Sequence, residues 1–212
     1  MTGFNLKSSE IKDSYLTLKT PSELEIKIER SKFIASAFPF EDPEMLRDTL
    51  KKVKDKYYDA SHHPFGYKTG IDENNFRYSD DGEPSGSSGK PVYDAIVKHN
   101  LSDVIVVVTR YFGGIKLGVG GLKRAYFEAA DLCLAQSKFI EKINYETLTL
   151  TFDYKYMNNV VRMLNACEGI ITDNRSGEEV VLDCMIRLSK VEEFKVNFEQ
   201  ITFGGGKVSC RL

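Results

Sequence analysis

No run in this sequence approaches the roughly eighteen apolar residues that a membrane-spanning helix needs. The amino-terminal MTGFNLKSSE has no apolar core to act as a signal sequence. Neither membrane insertion nor export is expected, and the chain reads as cytoplasmic. Cysteine pairing is also lacking. Cys133, Cys167, Cys184 and Cys210 are far apart and form no CxxC, which argues against a zinc site and against a redox couple. Each falls in an apolar stretch, where a free thiol behaves as a small buried hydrophobe suited to a reducing compartment. An excess of one charge is missing too: 29 basic against 31 acidic side chains give a net charge of −2. Indiscriminate coating of nucleic acid is therefore not expected, although a local basic face could still dock on RNA. What is left, 212 residues that are 42% hydrophobic and 28% charged, is an ordinary globular composition with room for one large core or two small ones.

The most constrained stretch is RYFGGIKLGVGGLKRAY, Arg110 to Tyr126, with five glycines and four cations in seventeen residues. The apolar run Val104 to Val108 leads into it and reads as a strand covered on both faces. Leu122, Tyr126, Ala129, Cys133 and Gln136 follow at helical spacing. A loop between strand end and helix start faces outward with free backbone N–H groups and the positive end of the helix dipole, a place that attracts anions. Gly113, Gly114, Gly118, Gly120 and Gly121 allow close approach of a bulky partner. Arg110, Lys116, Lys123 and Arg124 add positive charge with no acid between Val104 and Phe127. The spacing fits neither GxxxxGK[ST] nor GxGxxG, so a nucleotide-hydrolysing reading loses support. The expectation is a phosphate or other anionic surface held at this loop, with tight turns and close helix packing as the structural alternative.

Along the rest of the chain, residues 1 to 20 read as a loose arm or edge strand. Leu24, Ile26 and Ile28 alternate with charged residues in a half-buried strand over Glu23 to Glu29, partnered by Lys32 to Phe38. Asp42 and Pro43 signal a helix start, with Leu46, Leu50, Val53 and Tyr57 on one face. Ser61 to Ile71 is expected as a strand, in which His62 and His63 would point to opposite faces and serve as structural histidines rather than ligands. A turn then leads to Phe76, Arg77 and Tyr78. DDGEPSGSSGKP, Asp80 to Pro91, is a long loop within a domain, ending where Pro91 can open a helix carrying Ala95, Ile96 and His99. Asp80, Asp81 and Glu83 could ligate a divalent cation, but three acids in four residues are common in surface turns, so no metal is expected.

Lys138 to Asn144 reads as a polar break, and a second pattern follows. It runs as a strand at Leu148, Leu150, Phe152 and Tyr154; a helix at Met157, Val160, Leu164 and Cys167; strands at Ile170 to Asp173 and Val180 to Leu188; a helix at Val191, Phe194, Phe198 and Ile201; and a strand at Lys207 to Arg211. This βαββαβ order is a split-βαβ domain. The aromatic RNA-stacking motif of that fold is missing, and threonines fill the alternate positions of its first strand, so it reads as a docking or positioning module.

RYSDDGEPSGSSGKP followed by TRYFGGIKLGVGGLKRAY resembles, nearly residue for residue, the two motifs of the IMPACT/YigZ family. The likeness runs from Glu23 to about Ala135, and the remainder is similar to the smaller C-terminal domain of bacterial members. The resemblance implies an α+β protein, with a ribosomal-protein-S5-domain-2-like domain over residues 1–140 and a ferredoxin-like domain over 141–212. It carries over Asp80, Asp81, Gly82, Glu83, Pro84, Ser85 and Gly86 as one motif loop, beside Lys90. It carries over Arg110, Tyr111, Gly113, Gly114, Gly118, Gly120 and Gly121 as the other. Eukaryotic members are similar to translation regulators that act through an extra N-terminal domain, for which no room is expected before Glu23. A dipeptidase label used for some members has no support in these residues. Where many relatives carry cysteine and then alanine, this chain has Pro64 and Gly66 around Phe65.

The resulting expectation is a translation-linked protein without catalytic activity or cofactor. Its basic glycine loop would contact RNA phosphate or a ribosome-associated protein, with no sequence-specific reading of DNA and no membrane partner. Two alternatives stay open. One is an enzyme that holds a phosphorylated or carboxylated small molecule between the glycine loop and the acidic loop; the other is a protein-interaction module in which both motifs brace the fold.

Overall fold

The computed structural model describes residues 13–210; most of the expected amino-terminal arm and the last two residues lie outside that range. The chain divides into two compact units. One is Tyr15–Lys142; the other runs from Ile143 onward and takes in Asp13 and Ser14.

The first unit is built on a five-stranded sheet in the order β2 (Ser22–Ile28), β3 (Ser31–Pro39), β6 (Val104–Tyr111), β4 (Phe65–Lys68), β5 (Phe76–Ser79), antiparallel throughout. The unbroken apolar run of β6 has the reason expected for it: both faces are covered. Val104, Val106 and Val108 face α2 (Gly89–Lys98) and α3 (Gly118–Ala135), in a core with Phe33, Ile96 and Tyr126. Ile105 and Val107 face α1 (Leu46–Lys56) with Phe40, Val53 and Phe65. This is the ribosomal-protein-S5-domain-2-like arrangement. Asp42 caps the turn ahead of α1 by accepting from the Glu44 amide, and Leu46, Leu50, Val53 and Tyr57 pack inward from that helix.

Four details depart from the sequence reading. The strand expected over Ser61 to Ile71 is reduced to Phe65–Lys68, because Pro64 supplies no amide donor and Gly70 turns the chain with φ +63°. α2 opens at Gly89 rather than Pro91, tight against β5: a Cβ at Gly89 would lie 2.5 Å from the Ser79 carbonyl oxygen. α3 begins at Gly118, so three of the motif glycines lie in its first turn rather than in a loop. The stretch taken for a polar break is strand β7 (Phe139–Ile143), which pairs with β1 (Ser14–Leu18) as a two-stranded sheet.

In the second unit, β8 (Tyr145–Phe152), α4 (Met157–Ala166), β9 (Ile170–Asn174), β10 (Val180–Arg187), α5 (Val191–Ile201) and β11 (Lys207–Cys210) follow the expected βαββαβ order. The sheet order β11-β8-β10-β9 with antiparallel pairs is the ferredoxin-like topology. Leu148, Leu150 and Phe152 alternate inward beneath Val160, Phe194 and Phe198, as the β8 pattern requires. Asp13 accepts from Arg187 at 3.0 Å and from Ser189, contacts that hold its carboxyl below the ordinary carboxylate range. Burial pushes the Cys133 thiol up to about 11 and that of Cys184 to about 12. Cys210 departs from the expectation of burial: it sits at the end of an edge strand and is exposed.

Candidate functional site

Strand alternation puts Arg110 on the face shared by Val106 and Val108, so its side chain turns into the protein. It meets Glu83 of the acidic loop, Nη1 to Oε1 at 2.6 Å, with the two side chains only 7% and 4% exposed. The same Glu83 oxygen accepts from the Tyr126 hydroxyl at 2.7 Å, and burial together with that carboxylate raises the Tyr126 phenol well above its ordinary value. Phe33 and Phe112 stack on the guanidinium, 5.6 and 5.4 Å from its carbon. The two motif loops, 27 residues apart at this pair, are thus joined through a buried ion pair. Arg110 does not present its charge outward as the sequence reading had it. One of its donors, Nε, has no hydrogen-bond partner.

The acidic loop uses its carboxylates to hold itself. Asp80 accepts from the amides of Gly86, Ser88 and Gly89 and from the Ser88 hydroxyl, at 2.8 to 3.0 Å. Burial pushes the Asp80 carboxyl upward, but these donors outweigh it and leave the group below its ordinary value. Asp81 accepts from the His63 amide at 2.8 Å and from Lys54 at 3.1 Å, and its carbonyl lies 2.9 Å from His62 Nδ1. Gly82 lies beside that imidazole, and Pro84 and Ser85 are exposed at the loop tip. Burial lowers His63. Both histidines are engaged by the same residue of the acidic loop. Lys90 is paired with Asp94 on α2. Among the described residues, no three His, Cys, Asp or Glu side chains are grouped so as to hold a metal ion.

On the glycine side, Gly113 is required by packing: a Cβ there would lie 2.0 Å from the Arg30 carbonyl oxygen, and its amide donates to Ser31 Oγ at 3.2 Å. Tyr111 donates to Asp59 at 2.7 Å, which with desolvation pushes its phenol up to about 12, and Lys32 lies over its ring at 4.3 Å. Gly118 has φ +67° at the first position of α3, and Gly114, like Gly118, has nothing within 4 Å of an added Cβ. Gly121 packs on Leu117, whereas a Cβ on Gly120 would meet only the tip of Arg124 at 3.9 Å. A helical glycine costs roughly 1 kcal/mol against alanine, and internal packing gives no reason for it at Gly120. No side chain caps α3. Lys116, Lys123 and Arg124 are exposed there, and among the described residues none of them forms an ion pair.

Between the two loops lies a groove of about 300 Å³. Glu83 and Arg110 line it together with Lys116 and the apolar Phe112, Leu117, Val119 and Leu122. Phe112 and Val119 are each half exposed, and Ile115 is 37% exposed. These apolar residues were missed as site residues; their signal was the placing of large hydrophobes between glycines in a segment read as an outward-facing loop. Among the described residues, no helix is long and apolar enough to cross a membrane.

Comparison with known proteins agrees with this architecture. The family model of the Impact N-terminal domain matches residues 29–134. The chain is 30% identical over 191 residues to the IMPACT family member YvyE of Bacillus subtilis, covering 90% of this chain and 88% of that protein. It is 29% identical over 194 residues to the IMPACT family member YigZ of Escherichia coli, covering 91% and 95%. A crystal structure of a hypothetical protein superposes with a TM-score of 0.68 at 27% identity, over 95% of this chain and 99% of that one.

Proposed function

Because this chain belongs to the IMPACT family, we propose that it is a translation-linked binding protein without catalytic activity, whose glycine-rich α3 start contacts RNA phosphate. The observation that carries the reading is the grouping of Lys116, Lys123 and Arg124, none in an ion pair among the described residues, around a helix start with no side-chain cap. Free first-turn amides, a helix dipole and three cations together form a surface suited to a polyanion. Arg110 contributes indirectly, by fixing the strand end from which the loop departs.

Phosphate contacts from these three cations predict a slope of about −2 to −3 for log K against log salt. Fluorescence anisotropy with a structured RNA at several salt concentrations measures it. The Lys116→Ala/Lys123→Ala/Arg124→Ala variant should bind weakly and with a flatter slope. Equal affinity in that variant, or no binding at low salt, sinks the proposal.

One observation favours a second reading, an enzyme acting on a phosphorylated or carboxylated small molecule: the acidic and glycine loops meet in hydrogen-bonding contact. Against it, Asp80 is occupied by backbone amides, Asp81 by the His63 amide and Lys54, and Glu83 by Arg110 and Tyr126. A general base needs a carboxylate facing the substrate.

A further inference from the structure

We propose that a second pocket of the first unit, between the β4–β5 hairpin and strands β1 and β7, binds an uncharged sugar: a single ring carrying several hydroxyl groups. All of its lining residues lie within Tyr15–Lys142 and neither motif loop takes part, so the proposal stands independently of RNA contact.

The pocket encloses about 590 Å³, inside the range of roughly 300–1,000 Å³ usual for small-molecule sites. One side is a network centred on Asp103, which is 4% exposed and holds φ +53°. Its carboxylate accepts from the Gly70 amide at 2.8 Å, from Lys142 at 2.9 Å and from the Tyr15 hydroxyl. Lys142 also pairs with Glu41 at 2.8 Å. In the hairpin, the Thr69 amide donates to the Asn75 carbonyl at 2.9 Å, and the Ser102 hydroxyl donates to the Gly70 carbonyl. The backbone is thus fixed before a ligand arrives, which reduces the ordering that binding requires.

The side chains on the hairpin are, in contrast, unused. Tyr67 and Thr69 line the pocket and are 8% and 6% exposed, yet neither hydroxyl has a hydrogen-bond partner among the described residues. Neither oxygen is sealed from solvent, so both open to the pocket that they line. The side-chain amides of Asn74 and Asn75 on the same wall also lack partners among the described residues. Polar groups on nearly buried residues are normally paired. Four such side chains converging on one pocket point to a ligand that pairs with them.

The walls also select its class. Their ionised groups are one cation, Lys142, and two carboxylates, Glu41 and Asp103, so a phosphate or carboxylate enters against net negative charge. An ammonium ligand meets Lys142, which already lies between both carboxylates. An apolar ligand strands the free hydroxyls and amides. A nucleobase needs an open aromatic face, but Tyr15 and Tyr67 are no more than 8% exposed and Phe76 is already stacked on Tyr93 at 4.6 Å. A sugar carries no charge, and each of its hydroxyls donates and accepts, as do the hydroxyls and amides of the wall.

Titration of the isotope-labelled full chain with D-glucose, D-galactose, D-mannose and D-ribose, followed by amide NMR shifts, tests this. At least one sugar should saturate with a Kd on the order of 1 mM and move the Thr69, Gly70 and Asn75 amides. Its phosphorylated form should bind at least tenfold more weakly, and cyclohexanol, a six-membered ring with one hydroxyl, should not saturate. Tyr67→Phe and Thr69→Val each remove a hydroxyl and keep the side chain's shape. Each should weaken the sugar about fivefold, the worth of one hydrogen bond, with an unchanged circular dichroism spectrum. Asn75→Ala, in an exposed turn, makes the same test without touching the core. All three variants should keep their RNA affinity in the anisotropy assay, so failure of either proposal is distinguishable from failure of the other. The proposal is overturned if none of the sugars saturates at tenfold the expected Kd, or if the phosphorylated sugar or cyclohexanol binds equally well. Shifts confined to other parts of the chain, or undiminished binding by all three variants, overturn it too.

Discussion

Replacing Glu83 by alanine removes in one step the carboxylate that accepts from both the Arg110 guanidinium and the Tyr126 hydroxyl. The Arg110 side chain is 7% exposed and Tyr126 is fully buried, so water cannot take the place of the carboxylate without a rearrangement. Breaking a buried ion pair by deleting one partner costs about 3–5 kcal/mol, because the remaining charge is left uncompensated. The orphaned hydroxyl adds about 1 kcal/mol or more, not strictly additively. For a unit the size of Tyr15–Lys142, each kcal/mol lowers the melting temperature by roughly 4 °C. Glu83→Ala should therefore melt on the order of 15 °C below wild type in scanning calorimetry of the full chain. The triple change Glu83→Leu/Arg110→Met/Tyr126→Phe exchanges the whole polar cluster for apolar groups and should recover most of that loss. A Glu83→Ala shift below about 4 °C, or a triple variant no more stable than the single one, would refute the reasoning that desolvation dominates at this pair.

Gly120→Ala should raise the melting temperature by a few degrees, since alanine is favoured over glycine by roughly 1 kcal/mol in a helix and meets only the tip of Arg124. If the proposed RNA contact holds, the same variant should weaken RNA binding severalfold in the anisotropy assay, because a methyl group would stand where the phosphate is proposed to approach. Gly113→Ala, in contrast, collides with the Arg30 carbonyl and should cost about 2–4 kcal/mol in chemical denaturation. Asp80 carries a pH prediction. Its folded value is depressed, so its stabilisation is complete above the unfolded carboxylate value near 4 and is lost as pH falls through the folded value. Stability measured from pH 6 downward should fall more steeply in wild type than in Asp80→Asn, and the two curves should converge in acid. Thiol alkylation should label the exposed Cys210 in the native protein, with buried Cys133 and Cys184 reacting only on unfolding; prompt labelling of Cys133 would contradict the packing around it.

Much of the architecture was legible because it is local. The valine run of β6, the alternation in β2 and β8, and the helical spacing from Leu122 to Cys133 each record which faces are covered, and covering is what selects those residues. The βαββαβ order of the second unit followed from the same periodicities. The composition of the two motif loops marked them as special without stating what they do. β7 was misread because its five residues carry only a weak alternation, and its strand character comes from pairing with β1, more than a hundred residues away. Helix starts were misplaced where glycine, a poor helix former, occupies the first turn: in α2 Gly89 is held there by close approach to Ser79, whereas in α3 only Gly121 has a close neighbour, Leu117.

The sequence by itself determined the periodicity of each element, the two-part organisation and the local excess of cations between Val104 and Phe127. Tertiary structure alone decided which of those cations face outward. Arg110 and Lys116 are indistinguishable as letters beside a glycine loop; yet one lies on the covered strand face of Val108 and finds Glu83, while the other leaves the strand and forms no ion pair among the described residues. A charge in low dielectric must be paired and a charge in water need not be, and only the fold assigns each side chain to one medium or the other.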